Sequence, residues 1–284
     1  MEIPKAKQDK HICKTGFISA RKIMFDKLKL KNTFARPDYP KGIDFGNPIG
    51  IPSGRYTNGR TAIDIIGKIL SLRNFVSTEQ ESGLNNFTPP YLAPTTTGDV
   101  LLKGVNYASS AAGILNATGS GVGDLIPLDM KISCSVKTRQ NIIAQMGAPA
   151  EKKLLNRAIY IAATGANDVM YFAKRTDLER PKSFYLDTII SRFRSRLTRL
   201  YKLCSRKFMV TNSGAGGCVP HLRDDYPKVL DGCVPFVNQL MQAYNRRLKR
   251  LLEELNTNLT GSTFVLADIY AMSEYIIRNY ISYG

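Results

Sequence analysis

The chain has 284 residues, 43% of them hydrophobic, with 22 Gly and 14 Pro, so it can bury a sizeable core and is neither collagen-like nor of low complexity. Lys and Arg number 40 against 23 Asp and Glu, a formal charge of +17. That charge accompanies no recognition motif, which argues against specific nucleic-acid binding, and no apolar run approaches the roughly 18 residues of a membrane-spanning helix.

The charge is unevenly spread. Residues 1–41 hold eleven bases against four acids, and residues 174–207 hold eleven against three. The first residues, Met1-Glu2-Ile3-Pro4-Lys5, lack the apolar core of a secretory signal, and residues 1–32 read as a divergent basic segment. Thr61–Leu72 has helical apolar spacing. Val100–Ala108 reads as a buried strand followed by a turn at Ser109–Gly113. Leu154–Ile159 is a lesser helix candidate, and Ala158–Thr164 is a second strand, ending in Gly165–Asp168. Tyr185–Leu203 is an amphipathic helix whose apolar face includes Leu186, Ile189, Ile190, Phe193 and Leu197, with Arg192, Arg194, Arg196, Arg199 and Lys202 mostly outward. Lys207–Thr211 is a third strand with a turn at Asn212–Gly217. Pro235–Leu259 is a second long helix, and Thr263–Ala267 is a fourth strand ending at Asp268. Strands alternating with helices imply a parallel sheet covered on both faces. In such a sheet ligands bind beyond the carboxyl ends of the strands, where these turns gather. Each turn taken alone is accounted for by helix capping and positive φ.

Five cysteines (Cys13, Cys134, Cys204, Cys218 and Cys233) contain no C-x-x-C pair, so neither a zinc site nor a redox motif is indicated. Cys218 and Cys233 fit either a short disulfide-closed loop or two separate thiols. Asn86, Asn116 and Asn258 each begin an Asn-x-Thr glycosylation acceptor, a pattern suited to a secreted protein.

Taken in order, the turns form a series. It runs through Gly42-Ile43-Asp44-Phe45, Ser53-Gly54-Arg55-Tyr56-Thr57-Asn58-Gly59-Arg60-Thr61 and Pro89-Pro90-Tyr91-Leu92. Gly104-Val105-Asn106-Tyr107-Ala108-Ser109, Ala112-Gly113-Ile114-Leu115 and Gly165-Ala166-Asn167-Asp168 follow. Arg206-Lys207-Phe208, Gly217-Cys218-Val219-Pro220 and Phe264-Val265-Leu266-Ala267-Asp268-Ile269-Tyr270 complete it. Over residues 33–284 the series resembles the plant GDSL esterase/lipase family, a branch of the SGNH hydrolases. The resemblance implies a three-layer, flavodoxin-like α/β fold with a central parallel sheet. It also implies hydrolysis of carboxylic esters, of lipid or acyl-ester substrates, by a serine nucleophile without metal or cofactor. Extracellular location is implied too, whereas a chain beginning at Met1 with no signal would be intracellular.

The family's chemistry uses a Gly-Asp-Ser-Leu nucleophile turn, a glycine turn, a Gly-x-Asn-Asp turn and a late Asp-x-x-His. Asn167 stands at the family's oxyanion asparagine. The glycine turn, usually Ser-Gly-Gly-Ala-Gly, reads Ser109-Ser110-Ala111-Ala112-Gly113, and the Ser110 backbone N–H is the second oxyanion candidate. The family's Gly-Pro-Leu-Gly-Cys turn reads Gly214-Ala215-Gly216-Gly217-Cys218, and without the proline a softer loop is expected. Spacing places the nucleophile near Ser19-Ala20, where no Gly-Asp precedes, so a surface serine is expected. Of the two histidines, His11 lies in the basic segment and His221 in a loop without a catalytic counterpart. The first strand and C-terminal segment are expected to be incomplete. The expectation is a family member that lacks its triad as written, either inactive or a truncated gene product. The alternatives are a non-catalytic acyl-ligand-binding homologue and a basic binder of anionic surfaces.

Overall fold

The computed structural model describes residues 43–45, 50, 58, 88–121, 125–175, 180–227, 229 and 232–283. The segment 1–32 with Ser19 and His11, the helix expected at Thr61–Leu72, and Asn86 lie outside the described residues. Contacts divide the chain into two compact units. One comprises residues 1–110, 122–126 and 133–147, and the other comprises 111–121, 127–132 and 148–284.

In the first unit Val100–Lys103 forms a short helix, α1, and not the strand expected over Val100–Ala108. The run Leu101-Leu102-Lys103 consists of good helix formers, and Gly104 at φ 125° ends the turn. Only Asn106 keeps strand character, in an isolated parallel bridge to Pro90. The Tyr91 and Tyr107 rings lie 5.2 Å apart, and the Tyr107 hydroxyl donates to Thr138 Oγ1 at 2.6 Å. Thr138 lies on α2 (Leu128–Met146), a helix that the apolar pattern did not reveal.

The second unit contains a three-stranded parallel sheet in the order β1 (Ile159–Ala163), β2 (Lys207–Thr211), β3 (Thr263–Ala267). All three strands fall where the sequence places them. Around them, in chain order, are α3 (Ala148–Arg157), α4 (Ala166–Lys174), α5 (Lys182–Lys202), α6 (Pro220–Asp225), α7 (Pro235–Asn258) and α8 (Ile269–Arg278). The register aligns Tyr160, Phe208 and Phe264 in one row across the sheet. Phe208 stacks on Phe264 at 4.3 Å and meets Tyr160 at 5.6 Å, contacts worth about 0.5–1.5 kcal/mol each beyond their buried area.

The next row on the same face is Ala162, Val210 and Leu266. Both rows pack into a core with Ile189, Phe193 and Leu197 of α5 and Tyr244, Leu248 and Leu251 of α7. The long helices are therefore the crossovers of two β-α-β units, each burying its apolar stripe on the sheet. On the other face, Ile161, Met209 and Val265 share a row and are half-buried or exposed. The architecture is α/β with a parallel sheet and flanking helices, consistent with a flavodoxin-like fold.

Candidate active site

The carboxyl ends of β1, β2 and β3 lead into Thr164-Gly165, Asn212–Gly217 and Asp268. Side chains tie these turns together. Asn212 donates through Nδ2 to Asp268 Oδ1 at 2.7 Å and accepts from the Tyr270 N–H at 3.0 Å. Asp268 also caps α8 by accepting from the Ala271 N–H at 3.0 Å. These donors, the Ala271 amide foremost, hold the Asp268 carboxyl below its ordinary range.

The loop after β2 is pinned, contrary to the softening expected from its missing proline. Asn245 exchanges two hydrogen bonds with the Ser213 backbone, at 2.9 and 2.8 Å. Ser273 Oγ accepts from the Ala215 N–H at 3.0 Å, and Asn238 Oδ1 accepts from the Gly217 N–H at 2.8 Å. A Cβ on Gly217 would lie 2.3 Å from the Val234 carbonyl oxygen, so backbone contact requires glycine there. Cys218 and Cys233 form a disulfide at the end of this loop. Cys204 is a free thiol.

After β1, Gly165 adopts φ 107° and starts α4, placing Asn167 and Asp168 in its first turn. Asp168 is fully buried and accepts from the Ile114 N–H at 2.8 Å, the Leu115 N–H at 2.9 Å and Thr118 Oγ1 at 2.7 Å. One carboxylate thus holds the segment after the altered glycine turn against the start of α4. Burial pushes the Asp168 carboxyl above its ordinary range, while the three donors oppose that shift. Burial also lowers the Lys131 amine to about 8, partly offset by attraction to Asp168.

Gly113 approaches so closely that a Cβ there would lie 2.5 Å from the Asp168 carboxylate oxygens. The sequence displays Asp168 within its motif, but its partners lie 50 to 54 positions away and no local pattern names them.

Asn167 is half-buried, and its Nδ2 donates to the Ala112 carbonyl at 3.0 Å. A primary amide has two N–H donors, so this bond orients the group while using only one. Ser110 lies in the turn that closes the first unit and is half-buried, whereas Asn167 belongs to the second unit. In that turn Ser109 Oγ accepts from the Ile126 N–H at 3.0 Å.

Ala111 takes φ 59°, the left-handed region, where the family motif carries glycine. Alanine therefore occupies a backbone conformation that suits glycine better. Ala111→Gly is expected to raise stability by about 1 kcal/mol, visible as a higher urea midpoint with unchanged slope.

His221 lies on the short helix α6 and not in a loop. Its side chain is 75% exposed, with Nε2 3.1 Å from Lys174 Nζ and 3.9 Å from Asp225. Lys174 pairs with Asp225, holding that carboxyl below its ordinary range. The described residues contain no cluster of three or more His, Cys, Asp or Glu side chains able to hold a metal. The 284 residues contain neither Gly-Asp-Ser nor Asp-x-x-His.

Comparison with known proteins gives a consistent picture. The pattern of the GDSL-like lipase/acylhydrolase family matches residues 45–280. GDSL esterase/lipase At4g16230 of Arabidopsis thaliana is 43% identical over 259 residues, covering 89% of this chain and 66% of that protein. At2g23540 and At3g50400, two GDSL esterase/lipases of the same plant, are each 36% identical, covering 86% of this chain and 62% and 64% of their own lengths. The chain therefore spans slightly less than two thirds of the length of these relatives. The family match extends over both motif-bearing turns and all three strands, and the chain belongs to the GDSL-like lipase/acylhydrolase family.

Proposed function

We propose that this chain carries the scaffold and the oxyanion asparagine of a serine-dependent carboxylic ester hydrolase, and that these 284 residues alone turn esters over only at the background rate. The observation that carries the reading is the Asp168 clamp, which orders the start of α4 and, with the Ala112 carbonyl, orients the Asn167 amide. An amide held this way pays little reorganisation when charge develops on an ester carbonyl, and one such donor is worth about 3 kcal/mol of transition-state stabilisation. For Ser110 the resemblance alone supplies the role of a backbone donor. Lipid or acyl esters are the substrate class, as expected from the family.

The relay that would use this hole requires a nucleophile and a base. His221 is exposed and engaged with Lys174 and Asp225. An extracellular site of action fits the Cys218–Cys233 disulfide and the exposed acceptor residues Asn116 and Asn258. Residues 1–32 are assigned to a basic extension ahead of the hydrolase domain.

The test is hydrolysis of p-nitrophenyl esters by the 284-residue chain and by Asn167→Ala, combined with labelling by a fluorophosphonate. The expected result is the same slow hydrolysis from both proteins and no labelled serine. A drop of about tenfold in the variant, or one labelled serine, would establish a working relay and overturn the proposal.

A further inference from the structure

The strongest charge feature in the described residues is the outer face of the α5–α7 layer. Arg194 on α5 pairs with Glu254 on α7 at 2.6 Å, and Asp187 on α5 pairs with Arg247 on α7 at 2.6 Å. The partners are seven residues apart on each helix and advance in the same direction. The two helices therefore run parallel, side by side, with their apolar stripes directed into the sheet.

Arg192, Arg199 and Lys202 on α5 and Arg246, Lys249 and Arg250 on α7 are all exposed on this layer. Of the nearby carboxylates, Asp187 and Glu254 are engaged in the two ion pairs, and Glu253 is the remaining one on α7. Along α5 a shallow depression of about 470 Å³ is lined by Ser191, Ser195 and Thr198 between Arg194, Arg199 and Lys202, without any carboxylate. Hydroxyls interleaved with guanidinium and ammonium groups provide charge-assisted donors for phosphate oxygens. A single-stranded nucleic acid would call for stacking aromatics along a groove. Here the aromatic at the edge of the face is Phe184, which lies beneath the Arg180 guanidinium at 4.6 Å.

We propose that this layer is an adsorption surface for anionic phospholipid bilayers, with lipid phosphates received by the α5 cations and hydroxyls. The inference rests on the ester-hydrolase reading only for its use, since a lipid ester is presented at such an interface. Exposed cations spread over two parallel helices suit a continuous anionic surface, each cation adding to the attraction within a Debye length.

The experiment is co-sedimentation of the full chain with phosphatidylcholine vesicles, with and without about one quarter phosphatidylserine, at low and moderate salt. The chain is expected to bind the anionic vesicles and to release them as salt rises. Arg192→Glu/Arg199→Glu/Lys202→Glu should weaken binding by at least about tenfold. Lys27→Glu/Lys29→Glu/Lys31→Glu, an equal charge change in the basic N-terminal segment, should weaken it by less than about threefold. Circular dichroism of both variants reports whether the fold is kept.

Equal binding to neutral vesicles, or an equal loss in the two variants, overturns the proposal. Tighter capture by heparin or duplex DNA than by anionic vesicles assigns the face to a different polyanion and also overturns it. Vesicle binding requires no turnover, so its failure leaves the hydrolase reading intact, and fluorophosphonate labelling leaves this one intact.

Discussion

Asp168→Ala is expected to lower the free energy of unfolding by about 3–5 kcal/mol, one of the largest effects of a single side chain in this protein. The wild-type carboxylate satisfies the Ile114 and Leu115 amides and the Thr118 hydroxyl within a fully buried site. Alanine leaves three donors facing a cavity, each unmet donor costing about 1–3 kcal/mol before the segment relaxes. Thr118→Val removes one donor together with its need, so its cost is expected to be only about 1 kcal/mol. In the Asp168→Ala background that substitution should cost still less, because the hydroxyl has already lost its acceptor.

Asp168→Asn retains one acceptor oxygen but turns an amide group toward backbone N–H groups, and should fall between wild type and alanine. Its pH dependence has a defined sign. Burial raises the folded-state pKa of Asp168, so this residue's stabilising contribution is full below the ordinary carboxylate range and is lost as pH rises through the folded value. The stability advantage of wild type over Asp168→Asn should therefore narrow as pH rises, which urea midpoints at stepped pH will measure. A constant difference would mean that the carboxyl is not desolvated as the structure indicates.

The sheet was legible because β1, β2 and β3 are short, rich in β-branched or aromatic residues and bounded by Gly, Asn or Asp. The misread stretch, Val100–Ala108, shows where that signal fails: Leu101 and Leu102 suit either state, and Gly104 at φ 125° decides the outcome. Helix α2 escaped notice because Ser133, Cys134, Ser135 and Thr138 interrupt its apolar pattern. Asn167 and Asp168 are visible within their Gly-x-Asn-Asp motif, but the Asp168 clamp is not, because its donors are 50 to 54 residues distant in the chain. The pinned loop after β2 was hidden for the same reason. Asn238, Asn245 and Ser273 look like ordinary polar residues of helices until the fold brings them to Gly217, Ser213 and Ala215. Residue types reveal local conformation, whereas long-range polar pairing appears only once the chain is folded.

Gly165→Ala should be comparably damaging, at about 3 kcal/mol or more, because it combines two independent costs. At φ 107° an L side chain is strained by about 1–2 kcal/mol. The added Cβ would also lie 2.1 Å from the Tyr244 hydroxyl oxygen and 2.4 Å from the ring carbon bearing it. Tyr244 cannot yield easily. It is fully buried between α7 and the sheet, and its hydroxyl donates to the Thr164 carbonyl at 3.2 Å. Burial pushes its phenol pKa well above the ordinary value, so the hydroxyl stays protonated and remains a donor.

Tyr244→Phe alone should cost about 1 kcal/mol through the lost hydrogen bond. Combined with Gly165→Ala, it removes the atom in closest contact, so the double variant should be more stable than the sum of the single losses predicts. The rescue should be partial, since the ring carbon and the backbone strain remain. Strict additivity would show that crowding against Tyr244 is not the source of the loss. Because Gly165 sets the direction in which α4 leaves β1, relief of the clash should also restore Asn167 to the Ala112 carbonyl. Exchange protection of the Ile114 and Leu115 amides, which the neighbouring Asp168 holds, should then recover in parallel with stability.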